Sequence, residues 1–419
     1  MFNQRWITLS ILMILMGLLL GQRAALVLPI FLLLTIAAGH WWSDRALRDV
    51  TYRRRIARKR AFPGETVDIE VLVENSKLLP VPWLRVDDEW PLAAPPTDAQ
   101  ALGPSHVADV GELTNVFALR WYERVRRHYT LQTGQRGVYG LGPTRLRSGD
   151  VFGLFQTERT IEEQDFLIVY PRVYSLPELG LPSKEPFGDT RARRRLFEDP
   201  SRTMGARDMQ PGDSFRHVHW PATARRQQLQ ARVYEPTTTL TAVICLNVAT
   251  LPRPWEGILP ELLERAIVVS ASLSAHAAEN RYSVGLVSNG AVPRSDRPIR
   301  VMPGRSPDQL TRILELLAAV TGYVTMPMGR FLLRESPSLP WGATLVVVTP
   351  VVTDELLASI LQLRSAGRQM VLVSLAKETP PDLHGVLTHH LPDAIWPMPA
   401  TNDPIARPSL FTQWREATP

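Results

Sequence analysis

A chain of 419 residues is long enough for two or three domains, and a hydrophobic content of 45% is that of a folded protein, which excludes a disordered or fibrous chain. The net charge of +6 rests on arginine, since lysine occurs only at Lys59, Lys77, Lys184 and Lys377; guanidiniums favour bidentate pairing with carboxylate or phosphate, and a basic balance alone fits either nucleic acid or anionic lipid. The single Cys245, inside an apolar run, excludes an intrachain disulfide framework and fits a reducing compartment.

Residues 1–43 are predicted to be a membrane anchor of two transmembrane helices, contacting the lipid bilayer through residues 6–42. Trp6–Leu20 is nearly all apolar, Gly21-Gln22-Arg23 interrupts, and Ala24–Trp42 resumes; the second run has the length a span needs and the first is short. Trp6, Trp41 and Trp42 mark the ends, where indoles favour the interface. Arg45, Arg48, Arg53, Arg54, Arg55, Arg58, Lys59 and Arg60 follow at once, and such a cluster stays on the cytoplasmic side. A helical hairpin then places both termini in the cytoplasm, at a bacterial inner membrane. A cleaved signal peptide using Arg5 and the first run is the competing reading.

Residues 44–175 read as a β-sandwich. Val67–Val73 alternates as a half-buried strand, a Pro- and Ala-rich loop follows near 91–104, and further strands fall at Phe117–Trp121, Arg127–Gln132 and Phe166–Pro171. Gly134–Gly137 and Gly140–Pro143 are turn chemistry. Asp87 and Asp88 are adjacent carboxylates, but neighbours on a strand point to opposite faces, which argues against an acid/base pair. Residues 176–204 read as a Pro- and charge-rich linker, with Arg191, Arg193, Arg194 and Arg195 as a basic run that could meet phosphates.

Residues 205–238 hold the densest chemistry. Pro211-Gly212 is a turn bracketed by Asp208 and Asp213; Arg207, Arg216, Arg225, Arg226 and Arg232 surround it, with His217, His219 and Trp220 between. Carboxylates among guanidiniums suggest a paired polar network. The ordered set Arg207, Pro211-Gly212-Asp213, Arg216, His219-Trp220 and Ala224-Arg225, then Val233-Tyr234-Glu235, resembles the signature of the domain-of-unknown-function-58 family. Those are bacterial proteins often encoded beside MoxR-type AAA ATPases. Upstream, Gln135–Tyr139, Leu141-Gly142-Pro143 and Asp150–Phe155 are also similar to that family. One departure is Pro221, where the family commonly has lysine, so no role resting on that lysine carries over. The resemblance implies a binding set of Arg207, Asp208, Pro211, Gly212, Asp213, Arg216, His219, Trp220 and Arg225; the plainer alternative is that these residues brace a turn between domains.

Residues 239–419 alternate strands and helices in a doubly wound α/β pattern. Strands are predicted at Thr241–Asn247, Ser283–Ser288, Ile299–Met302, Thr344–Thr349, Gln369–Ser374 and Ile395–Pro397, and helices at Gly257–Ala278, from Ser306-Pro307, and from Thr353 to Gly367. The family resemblance implies a von Willebrand factor A-like domain here. Such domains often hold Mg²⁺ through Asp-x-Ser-x-Ser at the end of the first strand; the matching positions are Asn247, Ala249 and Leu251, which lack the carboxylate and both hydroxyls. Thr250, Thr349 and Asp354 are the nearby oxygens, and no metal or cofactor is expected.

His217 and His219 lack a third ligand at a metal spacing, and His389-His390 reads as surface. No nucleophile elbow, Walker loop or dinucleotide fingerprint occurs. The expectation is a membrane-anchored, non-enzymatic adaptor or scaffold acting with a MoxR-type AAA ATPase, with no nucleic-acid role. Two alternatives stand: a tethered enzyme using Asp213 and His219, and a nucleic-acid module using Arg191–Arg195.

Overall fold

The computed structural model describes residues 8, 11–16, 19, 26–97, 102–105, 110–182, 186–188, 198–210, 218–236 and 240–391. The chain divides into two units, 1–170 and 171–419.

In the first unit, one helix among the described residues is long and apolar enough to cross a membrane: α1, Val27–Ala46. Membrane anchors and signal sequences share that length and composition, and 22% of the apolar window is buried inside the structure. Of the first apolar run, residues 8, 11–16 and 19 are helical and the rest, like the turn Gly21-Gln22-Arg23, lies outside the described residues. Ile36, Gly39, Ser43 and Ala46 form the buried stripe along the second half of α1, at helical spacing, while Phe31 and Leu34 are exposed.

The β-strands of this unit are β1 (Val50–Ile56), β2 (Arg60–Ala61), β3 (Thr66–Asn75), β4 (Val81–Pro91), β5 (Leu102–Pro104), β6 (Val110–Leu119), β7 (Arg124–Gln132), β8 (Gly137–Leu141), β9 (Thr144–Gly149), β10 (Gln156–Ile161) and β11 (Asp165–Val169). They form three sheets, ordered β1-β3-β7, β10-β9-β4-β6-β5 and β2-β11-β8, around one core. The alternation in β3 works as expected: Val67, Ile69, Val71 and Val73 are fully buried against Leu84, Val86, Trp90, Leu113 and Leu119. Each such side chain contributes about 1.5–3 kcal/mol relative to exposure.

The basic cluster after α1 is not uniformly a solvated flank. Arg53–Arg55 lie in β1, and Arg54 is drawn into the sandwich, where its Nη1 donates to Asp88 at 2.7 Å. Asp88 also accepts from Tyr52 Oη (2.6 Å), Trp90 Nε1 (2.7 Å) and Thr144 Oγ1 (2.6 Å). Burial, and then the Asp88 charge, push the Tyr52 hydroxyl well above its ordinary range, so it remains a donor. Asp87 has a separate partner set, Arg85, Thr114 and Arg147, as expected for adjacent strand residues.

The second unit begins with buried Leu176, Leu179, Leu181 and Phe187, so this part of the stretch read as a linker is packed rather than solvated. Arg191–Arg195 lie outside the described residues. A hairpin follows, β12 (Glu198–Asp208) with β13 (Gln230–Pro236), carrying the short helix α2 (Trp220–Arg226) between its strands. Then come β14 (Thr241–Leu246), α3 (Pro260–Glu279), β15 (Ser283–Ser288), β16 (Ile299–Gly304), α4 (Asp308–Ala319), α5 (Met328–Glu335), β17 (Thr344–Thr349), α6 (Asp354–Ser365), β18 (Gln369–Ser374) and β19 (Leu387–His390).

The six strands β14–β19 form one sheet in the order β16-β15-β14-β17-β18-β19, parallel except for β16. Helices α5 and α6 cover one face over Val243, Cys245, Leu345, Val347, Met370 and Leu372. With α3 against β14, β15 and β17, the central strands are buried on both faces, which is why they read as continuous apolar runs. Cys245 is fully buried, and burial pushes its thiol far up, so it stays protonated.

Local signals held in part. Thr353 caps α6 by accepting from the Leu356 amide, and Gly367 ends it at φ 89°, with Arg368 N donating to Leu363 O and Gly367 N to Arg364 O. At α4 the cap residue is Pro307, and Ser306 contributes only its carbonyl, to Gln309 N. The sixth strand is β19, earlier than the predicted Ile395–Pro397, which lies outside the described residues. Consequently His389 and His390 are half-buried strand residues rather than surface ones, with their Nε2 atoms 3.3 Å from Pro186 O and 2.9 Å from Ala376 O.

Candidate functional site

Two places gather the chemistry seen in the sequence, the signature hairpin and the carboxyl edge of the large sheet. In the hairpin, Arg207 pairs across to Ala231 and Asp208 to Gln230, and the strand ends are closed by Met209 N donating to Leu229 O at 2.9 Å. Helix α2 is started by His219, whose Nδ1 accepts from the Ala222 amide at 3.1 Å. The ring therefore serves as an N-cap and holds its proton on Nε2. Pro221 stands in the first turn of α2, where a missing amide hydrogen costs nothing.

Gln230, which the sequence did not single out, is the hub of this arrangement. It is fully buried; its amide donates to Thr223 Oγ1 (3.0 Å), its carbonyl accepts from His219 N (2.7 Å), and its Nε2 donates to Asp208 Oδ1 (2.5 Å). One glutamine thus ties β12, β13, and the N-cap and middle of α2 together. Its neighbours Val218 and Ala231 are buried with it. No motif marks Gln230 or Thr223; only the pairing register reveals them.

The charged members lie outward. Arg207, Asp208 and Arg225 are exposed, and the Arg207 Nη1 donates to the Asp208 carbonyl at 3.1 Å. Arg225 and Arg226 occupy the last turn of α2, where cations favour the helix dipole. Trp220, at the first helical position, is 64% exposed, large for an indole. The described charges are thus a surface group rather than a buried network. Pro211, Gly212, Asp213, Arg216 and His217 lie outside the described residues.

At the sheet edge, the strand order reverses between β14 and β17, the position where open α/β sheets take ligands. Asn247 and Thr349 are brought together there, with Nδ2 donating to Oγ1 at 2.9 Å. Asn289 completes the group: its Nδ2 donates to Asn247 Oδ1 (2.9 Å) and to Met326 O (3.1 Å), and its Oδ1 accepts from Val248 N (3.0 Å). Thr349 Oγ1 in turn donates to Val351 O at 2.5 Å. Thr250 Oγ1 is engaged by the Leu259 amide at 2.8 Å, and Asp354 is exposed in the first turn of α6. All four of Asn247, Thr250, Asn289 and Thr349 are buried. This is a neutral cross-link of the loops after β14, β15 and β17. Its side-chain donors and acceptors partner one another and the backbone, and it contains amides and hydroxyls but no carboxylate. Among the described residues no group of three His, Cys, Asp or Glu side chains could hold a metal ion.

Residues 205–383 match the family model described as "Protein of unknown function DUF58", a span running from the signature hairpin through most of the large sheet. The uncharacterized protein YeaD of Bacillus subtilis is 24% identical over 341 residues, 80% of this chain and 78% of that protein. Among solved structures, the CARDB domain of the PF1109 protein from Pyrococcus furiosus is 13% identical, covering 29% of this chain and 92% of its own at a TM-score of 0.20. A cohesin module from a Clostridium perfringens family 33 glycoside hydrolase is 12% identical, covering 29% and 97%, also at 0.20. Likenesses at these TM-scores assign neither fold nor function.

Proposed function

We propose that this chain, which carries the DUF58 family segment at residues 205–383, is a membrane-anchored adaptor that presents a protein-binding face rather than an active site. The observation that carries the reading is Trp220: an indole 64% exposed, at the start of a short helix pinned by the His219 cap and the Gln230 hub, whose last turn carries the exposed Arg225 and Arg226. A rigidly held exposed aromatic beside guanidiniums is the composition of a binding hot spot. Engagement of the His219 Nδ1 by the Ala222 amide argues against its use as a general base, and the amide cross-link at Asn247 and Asn289 fills the polar positions a ligand would use at the sheet edge. We read the six-stranded sheet, with its antiparallel third strand, as a von Willebrand factor A-like domain that keeps the fold without the cation site.

The anchor is α1 in this reading, with the basic residues after it on the cytoplasmic side of a bacterial inner membrane and both units in the cytoplasm. The α1 C-terminus is well built to transmit position to the β unit. Lys77 Nζ donates to the carbonyls of Ala46 and Arg48, and Arg159 to those of Leu47 and Val50, so two cations hold the carbonyl end of the helix. The partner implied by the family resemblance is an AAA ATPase of the MoxR type. The test is a detergent pull-down of the full chain after in-cell crosslinking, beside Trp220→Ala, a surface change that leaves the Gln230 hub intact. Loss of the ATPase from the variant alone supports the adaptor face; equal capture by both, or no ATPase with either, refutes it.

A further inference from the structure

The loop between β9 and β10 carries an exposed apolar tip whose position next to α1 points to an occupant. Val151, Phe152 and Leu154 are 58%, 66% and 49% exposed. The loop is built to hold them outward: Asp150 Oδ2 accepts from Phe152 N (2.9 Å), its Oδ1 from Phe155 N (2.6 Å), and its backbone carbonyl from Trp83 Nε1 (3.2 Å). Gly153 supplies a φ of 72° at the tip, where an added Cβ would meet nothing within 4 Å. Three adjacent large apolar side chains fixed into water on an ordered turn call for a covering surface.

Both stems of the loop touch α1 at one level. A Cβ built at Gly39 would lie 3.2 Å from Phe155 Cδ2 and 3.4 Å from Asp150 Oδ2, so glycine allows the close approach. The His40 ring stacks on Phe155 with centroids 5.2 Å apart. Gly39 is three residues before Trp42, about 4.5 Å along the helix axis. The apolar part of α1 up to its tryptophans, Val27–Trp42, rises about 24 Å, most of the hydrocarbon thickness, so Trp41 and Trp42 fall at the headgroup level with the loop stems beside them. That depth is within the roughly 5–10 Å zone in which interfacial apolar groups bury.

We infer that the loop 151–154 is a second membrane contact, its Val151, Phe152 and Leu154 side chains entering the headgroup–acyl boundary of the same bilayer that α1 crosses. Two contacts, one spanning and one interfacial, would fix the rotation and tilt of the β unit against the membrane. This inference rests on α1 being a membrane anchor.

The experiment uses the full chain in phosphatidylcholine–phosphatidylglycerol nanodiscs with an environment-sensitive fluorophore on one introduced cysteine at a time. Cys245 is buried and does not compete for label. The sites are Phe152→Cys, Leu34→Cys within α1, and Leu92→Cys, which is exposed just past the far end of β4, about 30 Å along the strand from Trp83. Lipids brominated near the headgroup, and in a parallel sample deep in the acyl chain, serve as quenchers. The expected result is at least about twofold quenching at position 152 by the headgroup-level bromines, as an interfacial insertion depth requires, and at position 34 by the deep ones, with none at 92 by either. Quenching at 34 but not at 152 overturns the loop contact and leaves the anchor standing. Quenching at neither overturns the anchor reading and the inference with it. Equal quenching at 152 and 92 shows unspecific lipid contact of the β unit and also overturns the inference.

Discussion

Replacing Asp88 by alanine should cost the β unit about 3 kcal/mol, while the same change at its neighbour Asp87 should cost about 1 kcal/mol. Asp88 is fully buried and takes four donors, one of them the Arg54 guanidinium, whose side chain is 3% exposed. Removing the carboxylate strands that cation and the hydroxyl and indole donors of Tyr52, Thr144 and Trp90. Loss of one partner from a buried pair costs about 3–5 kcal/mol. The lower end applies because Arg54 keeps the Glu163 carbonyl at 2.8 Å and the Asp165 carboxylate at 3.4 Å. Asp87 is as deeply buried, yet its Arg85 and Arg147 partners are 46% and 35% exposed and can turn to water. The assay is urea unfolding of the full chain in detergent, followed by hydrogen exchange of the β3 and β4 amides so that the first unit is read by itself. For a unit of this size, about 3 kcal/mol corresponds to a midpoint shift of roughly 6–12 °C on heating. Equal costs at the two positions, or a cost under about 1 kcal/mol at Asp88, would refute the reasoning from partner exposure.

Other predictions concern the junctions. His219→Ala should orphan the Ala222 amide and destabilise α2 by about 1 kcal/mol, seen as faster exchange of its amides, whereas His219→Asp should preserve protection because aspartate caps equally well. Burial lowers the Lys77 ammonium to about 8, with the Asp49 charge opposing and the nearby Arg159 adding to the shift. Above pH 8 the folded chain then sheds a proton that the unfolded chain keeps to its ordinary value near 10.5, so stability should rise between those values. The rise should be less than about 1 kcal/mol because the side chain is partly solvated, and melting curves at pH 7.5 and 10 should show it in the wild type and not in Lys77→Met.

Elements whose residues repeat a simple period could be read directly. Val67–Val73 alternates, β14, β17 and β18 are uninterrupted apolar runs, and the second apolar run of the N-terminal region contains most of the long apolar helix Val27–Ala46. The burial of Arg54 was not legible, because a sequence shows only that it stands in a basic cluster; its burial depends on Asp88, 34 residues away, facing it across the sandwich. Similarly, part of the stretch read as a linker contains Leu176, Leu179, Leu181 and Phe187, too sparse for a period but all buried. In the candidate site, the signature drew attention to charged residues, whereas the residue that holds the hairpin together is the neutral Gln230. Asn247 was singled out only by its position at the end of the first strand of the large sheet; its pairing with the Asn289 amide is a tertiary contact across 42 residues that spacing does not reveal.

The adaptor reading stands or falls on what meets Trp220 in the cell. The measurement is site-specific photocrosslinking, with a benzophenone amino acid at position 220 in the full chain in its native membrane and the adducts identified by mass spectrometry. The same probe at Leu361, an exposed position on α6, is the comparison. A MoxR-type AAA ATPase crosslinked from position 220 and not from 361 is the predicted result. Crosslinks from 220 that stay within the chain, with no ATPase adduct, would contradict the account and make the signature an internal brace.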